Sequence, residues 1–210
     1  NEHAERTGKR VMFAFNLTGE VDEMRARHDL VEALGGTCVM VSLNSVGLAG
    51  LLALARHARL PIHGHRNGWG ALGRHPHHGW SHVAWSKLWR LAGADHLHCN
   101  GLANKFCEPD ESVVASARSL AEPLWADRPM TAMPVLSSGQ TIRQAAPTWQ
   151  ALGTADLIHA AGGGILAHPQ GPQAGVEAFR EAWDAAMAGE DVAKRAARRP
   201  ALAAALGAYA

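Results

Sequence analysis

Apolar and polar positions alternate along this chain in one repeating order. A short apolar run is followed by Gly, Asn or Ser, and then by a stretch with helical spacing. The first apolar run is Val11 to Leu17, ending in Asn16-Leu17-Thr18-Gly19, and predicts a strand. A helix is predicted over 20–34, with Val21, Met24, Val31 and Leu34 near one face and Gly35-Gly36 as its stop. The same reading predicts strands over 38–43, 60–65, 95–98, 133–136 and 156–161. Helices are predicted from about 48 to 57, around Trp85, Leu88 and Trp89, over 110–120 and over 147–152. A final amphipathic helix carries Val176, Phe179, Trp183 and Met187, and the Ala-rich tail from Val192 also reads as helical.

Strand, polar loop, helix, repeated six times, predicts an α/β fold with a parallel sheet. The strands are apolar nearly throughout, as strands covered on both faces are. A doubly wound sheet would place one glycine-rich loop after its first strand. Here every strand ends in polar or glycine residues, which is the habit of a (β/α)8 barrel, whose chemistry sits at the C-terminal strand ends. A closed barrel needs eight strands in typically about 250 residues, against six in 210. The expectation is therefore the C-terminal part of a barrel, strands three to eight, belonging to a longer protein or to an incomplete barrel.

Composition narrows the function classes. Apolar residues make up 47% and charged residues 19%, so the chain is globular rather than disordered. No apolar run approaches the roughly 20 residues that span a bilayer, and Asn-Glu-His at the start is no secretory signal. A formal charge of +1 gives no field for nucleic acid or an anionic membrane surface. Three cysteines, at 38, 99 and 107, make no disulfide framework, and Cys38 reads as a small buried hydrophobe; a reducing, cytoplasmic compartment is expected. Most of the 13 histidines fall in the middle of the chain.

Four blocks carry candidate chemistry. In His63-Gly64-His65-Arg66, alternation puts both histidines on one face, with Arg66 at the rim. His63 reads as a hydrogen-bonded core residue, and His65 with Arg66 as a pair that binds a phosphate or a developing enolate. Asp95-His96-Leu97-His98 is followed by a small-residue loop carrying Lys105, placed to close over an anion; the plainer alternative is a surface lysine. Ser137-Ser138-Gly139 and Gly162-Gly163-Gly164 follow the last two strands, where barrels build phosphate sites from backbone N–H groups. His75, His77 and His78 read as solvated, His168 as a loop cap, Trp80, Trp85 and Trp89 as helix packing, and Arg195, Arg198 and Arg199 as a solvated face.

Together these blocks resemble the large subunit of ribulose-bisphosphate carboxylase (RuBisCO), in order and spacing, from Ala4 onward. His65-Arg66, Asp95-His96-Leu97-His98, Asn104-Lys105, Pro134-Val135-Leu136-Ser137 and Gly162-Gly163-Gly164 with His168-Pro169 match its motifs after strands five to eight. Trp69 departs from a family histidine, Cys99 from a serine, Asn100-Gly101 from Gly-Thr, and Val41-Ser42-Leu43-Asn44-Ser45 from His-Asp-Tyr-Leu-Thr. These departures are similar to the RuBisCO-like proteins, or form IV, and to a subgroup associated with isoapionate phosphate catabolism.

The resemblance implies Mg2+-assisted enolisation or C–C cleavage (decarboxylation or transcarboxylation-hydrolysis) on a phosphorylated keto-sugar substrate such as an oxo-isoapionate phosphate. It implies His65 as proton shuttle and Lys105 over the enolate. Arg66, His98 and Ser137 would hold a distal anion, with Gly139, Gly162 and Gly163 on the other phosphate and Asn16 near the metal. The Mg2+ ligands, a carbamylated lysine and two carboxylates, are expected upstream, as are the first two barrel strands and an N-terminal α+β domain; residues 1–210 would all belong to the barrel domain. The family also implies a homodimer or higher homo-oligomer. The alternatives are a 2,3-diketo-5-methylthiopentyl-1-phosphate enolase of methionine salvage and, outside enzymes, an inactive barrel fragment or scaffold.

Overall fold

The structure is a computed structural model that describes residues 2–75, 77–106 and 108–209; Cys107 lies outside them. Its helices are α1 (Glu2–Thr7), α2 (Val21–Ala33), α3 (Leu43–Ala55), α4 (Gly70–Gly73), α5 (His82–Leu91), α6 (Asp110–Ala121), α7 (Ala145–Leu152), α8 (Gly162–Leu166), α9 (Pro172–Met187), α10 (Val192–Ala196) and α11 (Pro200–Ala208). Its strands are β1 (Ala14–Asn16), β2 (Cys38–Ser42), β3 (Ile62–His65), β4 (His96–His98), β5 (Met133–Leu136) and β6 (Ile158–His159). A 3-10 turn covers Ile142–Gln144. The chain forms two compact units. One holds the residues up to His98 together with Glu122–Ala132; the other holds Cys99–Ala121 and Met133 onward.

In the first unit β1, β2, β3 and β4 pair in that order, all parallel, with Ala14 opposite Cys38, Val39 opposite Ile62 and His63 opposite His96. Cys38, Val39, Val41, Ile62 and Leu97 are buried with Met24, Leu51, Leu54, Trp85 and Trp89 from the helices. Burial pushes the Cys38 thiol up to about 11, so it packs as an apolar group. β1 is shorter than the apolar run predicts, because the Phe13 N–H donates to Thr37 Oγ1 instead of to a ladder carbonyl. On α2 the buried residues are Met24 and His28, while Leu34 lies beyond the last turn and is exposed, contrary to the predicted apolar face. Residues 43–46 are helical rather than a loop; the break comes at Gly47, whose φ of 68° only glycine adopts without strain. Trp80 is half-exposed and precedes α5, so only Trp85 and Trp89 serve as helix packing.

In the second unit β5 pairs parallel with β6, Val135 opposite Ile158 and Leu136 opposite His159. The predicted sixth strand of six residues shortens to these two. Its glycine triplet is not a loop but the first turn of α8. Ile142, Ala145, Ala178, Phe179, Ala182, Leu202 and Ala205 form a core of mostly small residues, which lets α7, α9 and α11 approach closely. Pro172 and Pro200 open α9 and α11, where a missing N–H costs nothing. Of the tail arginines, Arg198 and Arg199 are exposed, as a solvated face requires, while Arg195 is partly buried. Arg195 reaches Glu181 at 2.6 Å and Glu190 at 3.0 Å, and Arg199 reaches Glu181 at 3.1 Å, tying α10 back to α9. No helix among the described residues is long and apolar enough to cross a membrane.

Candidate active-site residues at the strand ends

The first unit gathers imidazoles at the ends of β3 and β4. Parallel register puts His63 beside His96, and the alternation of each strand brings His65 and His98 to the same face. His63 Nε2 lies 2.7 Å from His98 Nε2. The rings of His65 and His98 are 4.2 Å apart and those of His63 and His96 5.6 Å. Burial lowers the pKa of all four, that of His63 to about 4, with neighbouring imidazoles adding to the shift at His63 and His98. For His65 burial comes first and the Arg66 guanidinium second. All four rings are therefore neutral at pH 7, and one Nε2 of the His63–His98 pair donates while the other accepts. The Nδ1 atoms of His63 and His65 are buried without a partner among the described residues. A bare ring lone pair is the cheaper orphan than an unmet N–H, so each of these rings carries its proton on Nε2.

Arg66 is buried directly after β3, and His98 ends β4, also buried. Trp69, at the position of the family histidine, stands edge-on to His82 at 5.1 Å and against Trp85 at 5.0 Å. His82 Nε2 donates to the His98 carbonyl at 3.1 Å. Sequence reasoning assigns His82 no role; its place one turn before Trp85 and two before Trp89 is the available signal. Asn16 is exposed, and its Oδ1 accepts from both Thr18 N and Thr18 Oγ1. Thr18 Oγ1 accepts in turn from Ser42 N, and Ser42 Oγ accepts from Asn67 Nδ2. The departures at Ser42 and Asn44 thus organise a polar chain across the ends of β1, β2 and β3, completed by Asn44 Nδ2 on the Asn67 carbonyl.

In the second unit the segment after His98 runs along β5. Cys99 N donates to Val135 O, Gly101 N to Ser137 O and Lys105 N to Ser138 O. Ser137 Oγ donates to Cys99 O at 3.2 Å, and Ser138 Oγ to Asn100 Oδ1 at 2.7 Å. Asn100 Nδ2 donates to Glu108 at 2.6 Å. Lys105 is exposed, its ammonium 5.5 Å from the Phe106 ring centre. Gly139 has φ of 84°, and a Cβ there would sit 3.3 Å from that of Lys105, so glycine seats the lysine backbone. At Gly162 and Gly163 a Cβ would meet no atom within 4 Å, leaving their backbone open to an approaching group. Glu108 and Gln140, which help secure this segment, are absent from the residues that the sequence singles out, and Asn100 is singled out only as a departure from the family's Gly-Thr.

Among the described residues, one set of three metal-ligating side chains converges: His28, Asp29 and His57. His28 Nε2 accepts from Arg59 N and Leu60 N, so its Nδ1 carries the proton and donates to Asp29. Arg59 also reaches Asp29 and pairs with Glu32. One carboxylate already held by a cation and two imidazoles do not fit Mg2+, which takes oxygen ligands. The set is a bracket between α2 and the segment after α3. His75, His77 and His78 are exposed. His168 is buried, with Nε2 donating to Ala201 O.

Parallel strands that alternate with helices and end in polar or glycine residues define an α/β fold of barrel type. The chain matches the family of the ribulose bisphosphate carboxylase large chain, catalytic domain, over residues 1–209, and belongs to it. The fold is accordingly the C-terminal part of a (β/α)8 barrel. The chain is 62% identical over 207 residues, 99% of its length and 50% of the relative's, to a 3-oxo-isoapionate-4-phosphate transcarboxylase/hydrolase of Xanthobacter autotrophicus. It is 42% identical over 212 residues, 99% of its length and 50% of the relative's, to a 3-oxo-isoapionate-4-phosphate decarboxylase of Rhizobium etli. The crystal structure of a RuBisCO-like protein from Burkholderia fungorum superposes with a TM-score of 0.94 at 45% identity, over 98% of this chain and 51% of that one. The chain spans about half the length of the curated relatives it matches.

Proposed function

We propose that the protein carrying this chain is a RuBisCO-like enzyme that cleaves a C–C bond, or enolises, next to the carbonyl of a phosphorylated 3-oxo sugar acid. The 62% identity with a protein named for that chemistry carries the reading. In a 3-oxo acid the bond to the carboxylate carbon breaks, its electron pair passes into the ketone as an enolate, CO2 leaves, and the enolate carbon takes up one proton. His65, neutral at pH 7, holds and moves that proton. Lys105 stabilises the anionic oxygen. Arg66 and His98 take an anionic end of the substrate. Ser137 offers its hydroxyl to the distal anion, and Gly139, Gly162 and Gly163 offer backbone N–H groups to phosphate oxygens.

Mg2+ belongs to this reading as a Lewis acid at the carbonyl, held by a carbamylated lysine and two carboxylates outside this chain; the described residues supply no such set. A position near it for Asn16, a cytoplasmic location, and a homodimer or larger homo-oligomer complete the proposal. The test is an assay of the full-length polypeptide with 3-oxo-isoapionate 4-phosphate and Mg2+. Turnover that Arg66→Ala abolishes is expected. No turnover of that compound, with enolisation of 2,3-diketo-5-methylthiopentyl 1-phosphate instead, would give the methionine-salvage function.

A further inference from the structure

Gln140 is 1% exposed, and both ends of its amide are engaged. Its Nε2 donates to the Leu102 carbonyl at 3.0 Å, and its Oε1 lies 3.0 Å from His159 Nε2. His159 Nδ1 is 3.2 Å from Trp183 Nε1. An indole N–H only donates, so His159 Nδ1 must accept. That forces the His159 proton onto Nε2, where it meets Gln140 Oε1, and turns the Gln140 NH2 toward Leu102. One fixed donor on α9 therefore sets the direction of every bond down to the segment that carries Lys105. Phe179 stands edge-on to His159 at 5.0 Å and holds the ring in place. Burial lowers the pKa of His159 to about 4, which keeps this single tautomer at neutral pH.

The glycines beside Gln140 are fitted to it. A Cβ at Gly101 would lie 2.0 Å from the Gln140 amide carbon, and one at Gly164 would lie 2.6 Å from the Gln140 carbonyl oxygen. Thr141 follows at once in a capping box with Gln144, which fixes the backbone from which the amide projects.

We propose that Gln140 is a positioning residue for Lys105: through Leu102 it locks the segment 101–105 onto β5, and the Trp183–His159 pair dictates its orientation. The importance of the lock for turnover rests on the role proposed above for Lys105; the lock itself does not. In the full chain, Gln140→Met keeps the side-chain length and removes both hydrogen bonds. The Gly101 and Lys105 amides, which are bonded to Ser137 and Ser138 carbonyls, should then exchange with solvent about fivefold to thirtyfold faster. Trp183→Phe should act in the same direction and more weakly, and nitrogen NMR should show His159 passing from one tautomer to a mixture. In the intact enzyme kcat should fall more than KM rises, since a displaced lysine loses the transition state before it loses the substrate. Unchanged exchange of residues 101–105 in a folded Gln140→Met protein overturns the proposal. If that variant does not fold, a tautomer change in Trp183→Phe without faster exchange overturns it as well. Faster exchange in the variants, alongside an unaltered enzyme that never turns over the 3-oxo acid, sustains the lock and removes only the assigned reaction.

Discussion

Both units end their strands in polar groups, and they complete them differently. In the first, imidazole meets imidazole, and His63 and His65 each keep a buried Nδ1 without a partner among the described residues. In the second, indole, imidazole, amide and carbonyl follow one another, each donating to the next. A chain linked in this way is rigid and has little left to offer a substrate. A strand end with open nitrogen valences is costly to bury and is retained where it does something. The proposed function draws on this contrast: proton movement at His65 in the first unit, and the placing of Lys105 in the second.

The sharpest way to break this contrast is His65→Asn. In the intact enzyme it should lower kcat by about 10²–10⁴-fold, the range for a lost proton-transfer group, with little change in melting temperature. A loss of stability in place of activity would make the ring scaffolding. Acid comes next. His63, His96 and His98 in one unit, and His159 in the other, titrate lower folded than unfolded. The unfolded chain therefore binds more protons below about pH 6.5, and stability falls from there toward pH 4 by about 1.4 kcal/mol per pH unit per fully titrating ring. With more such rings, β3 and β4 should lose hydrogen-exchange protection before β5 and β6 as pH drops; the reverse order would deny the cluster its neutral state.

A smaller effect is expected from Arg90→Met. It strips the carbonyls of Glu122, Pro129 and Met130 of a common donor and should destabilise by about 1–3 kcal/mol in denaturant titration. Smallest is Thr141→Ala, which removes the capping box ahead of α7 and should lower stability by about 1 kcal/mol, confined to the second unit.

The strands are legible in the sequence as short, mostly apolar runs that end in polar or glycine residues, and the strand-end residues because alternation fixes which side chains share a face. β5 falls where its apolar run lies, at Met133–Leu136. The first and sixth strands come out shorter than their apolar runs because apolar character does not report whether a ladder partner exists. Gln140 is invisible for another reason. A polar residue after Gly139 reads as solvent-facing, and its partners stand 38 and 19 residues away. Gly101 offers a faint sign: a glycine with no turn to make is needed where something else fills its space. Glu108 escapes likewise, and Asn100 shows only as a departure from a family motif, since their bond crosses a loop whose sequence reads only as mobile.

Arg90 is 2% exposed and donates to main-chain oxygens, the farthest of them 40 residues further along. During synthesis, at roughly 5–20 residues per second, Arg90 waits about 2–8 s for Met130 to be made. Until then the first unit holds a cation whose seat does not yet exist. Residues 99–121 must emerge in the interval and belong to the other unit. The two units are thus interleaved in time as well as in sequence, and neither can be finished on the ribosome before the other has begun.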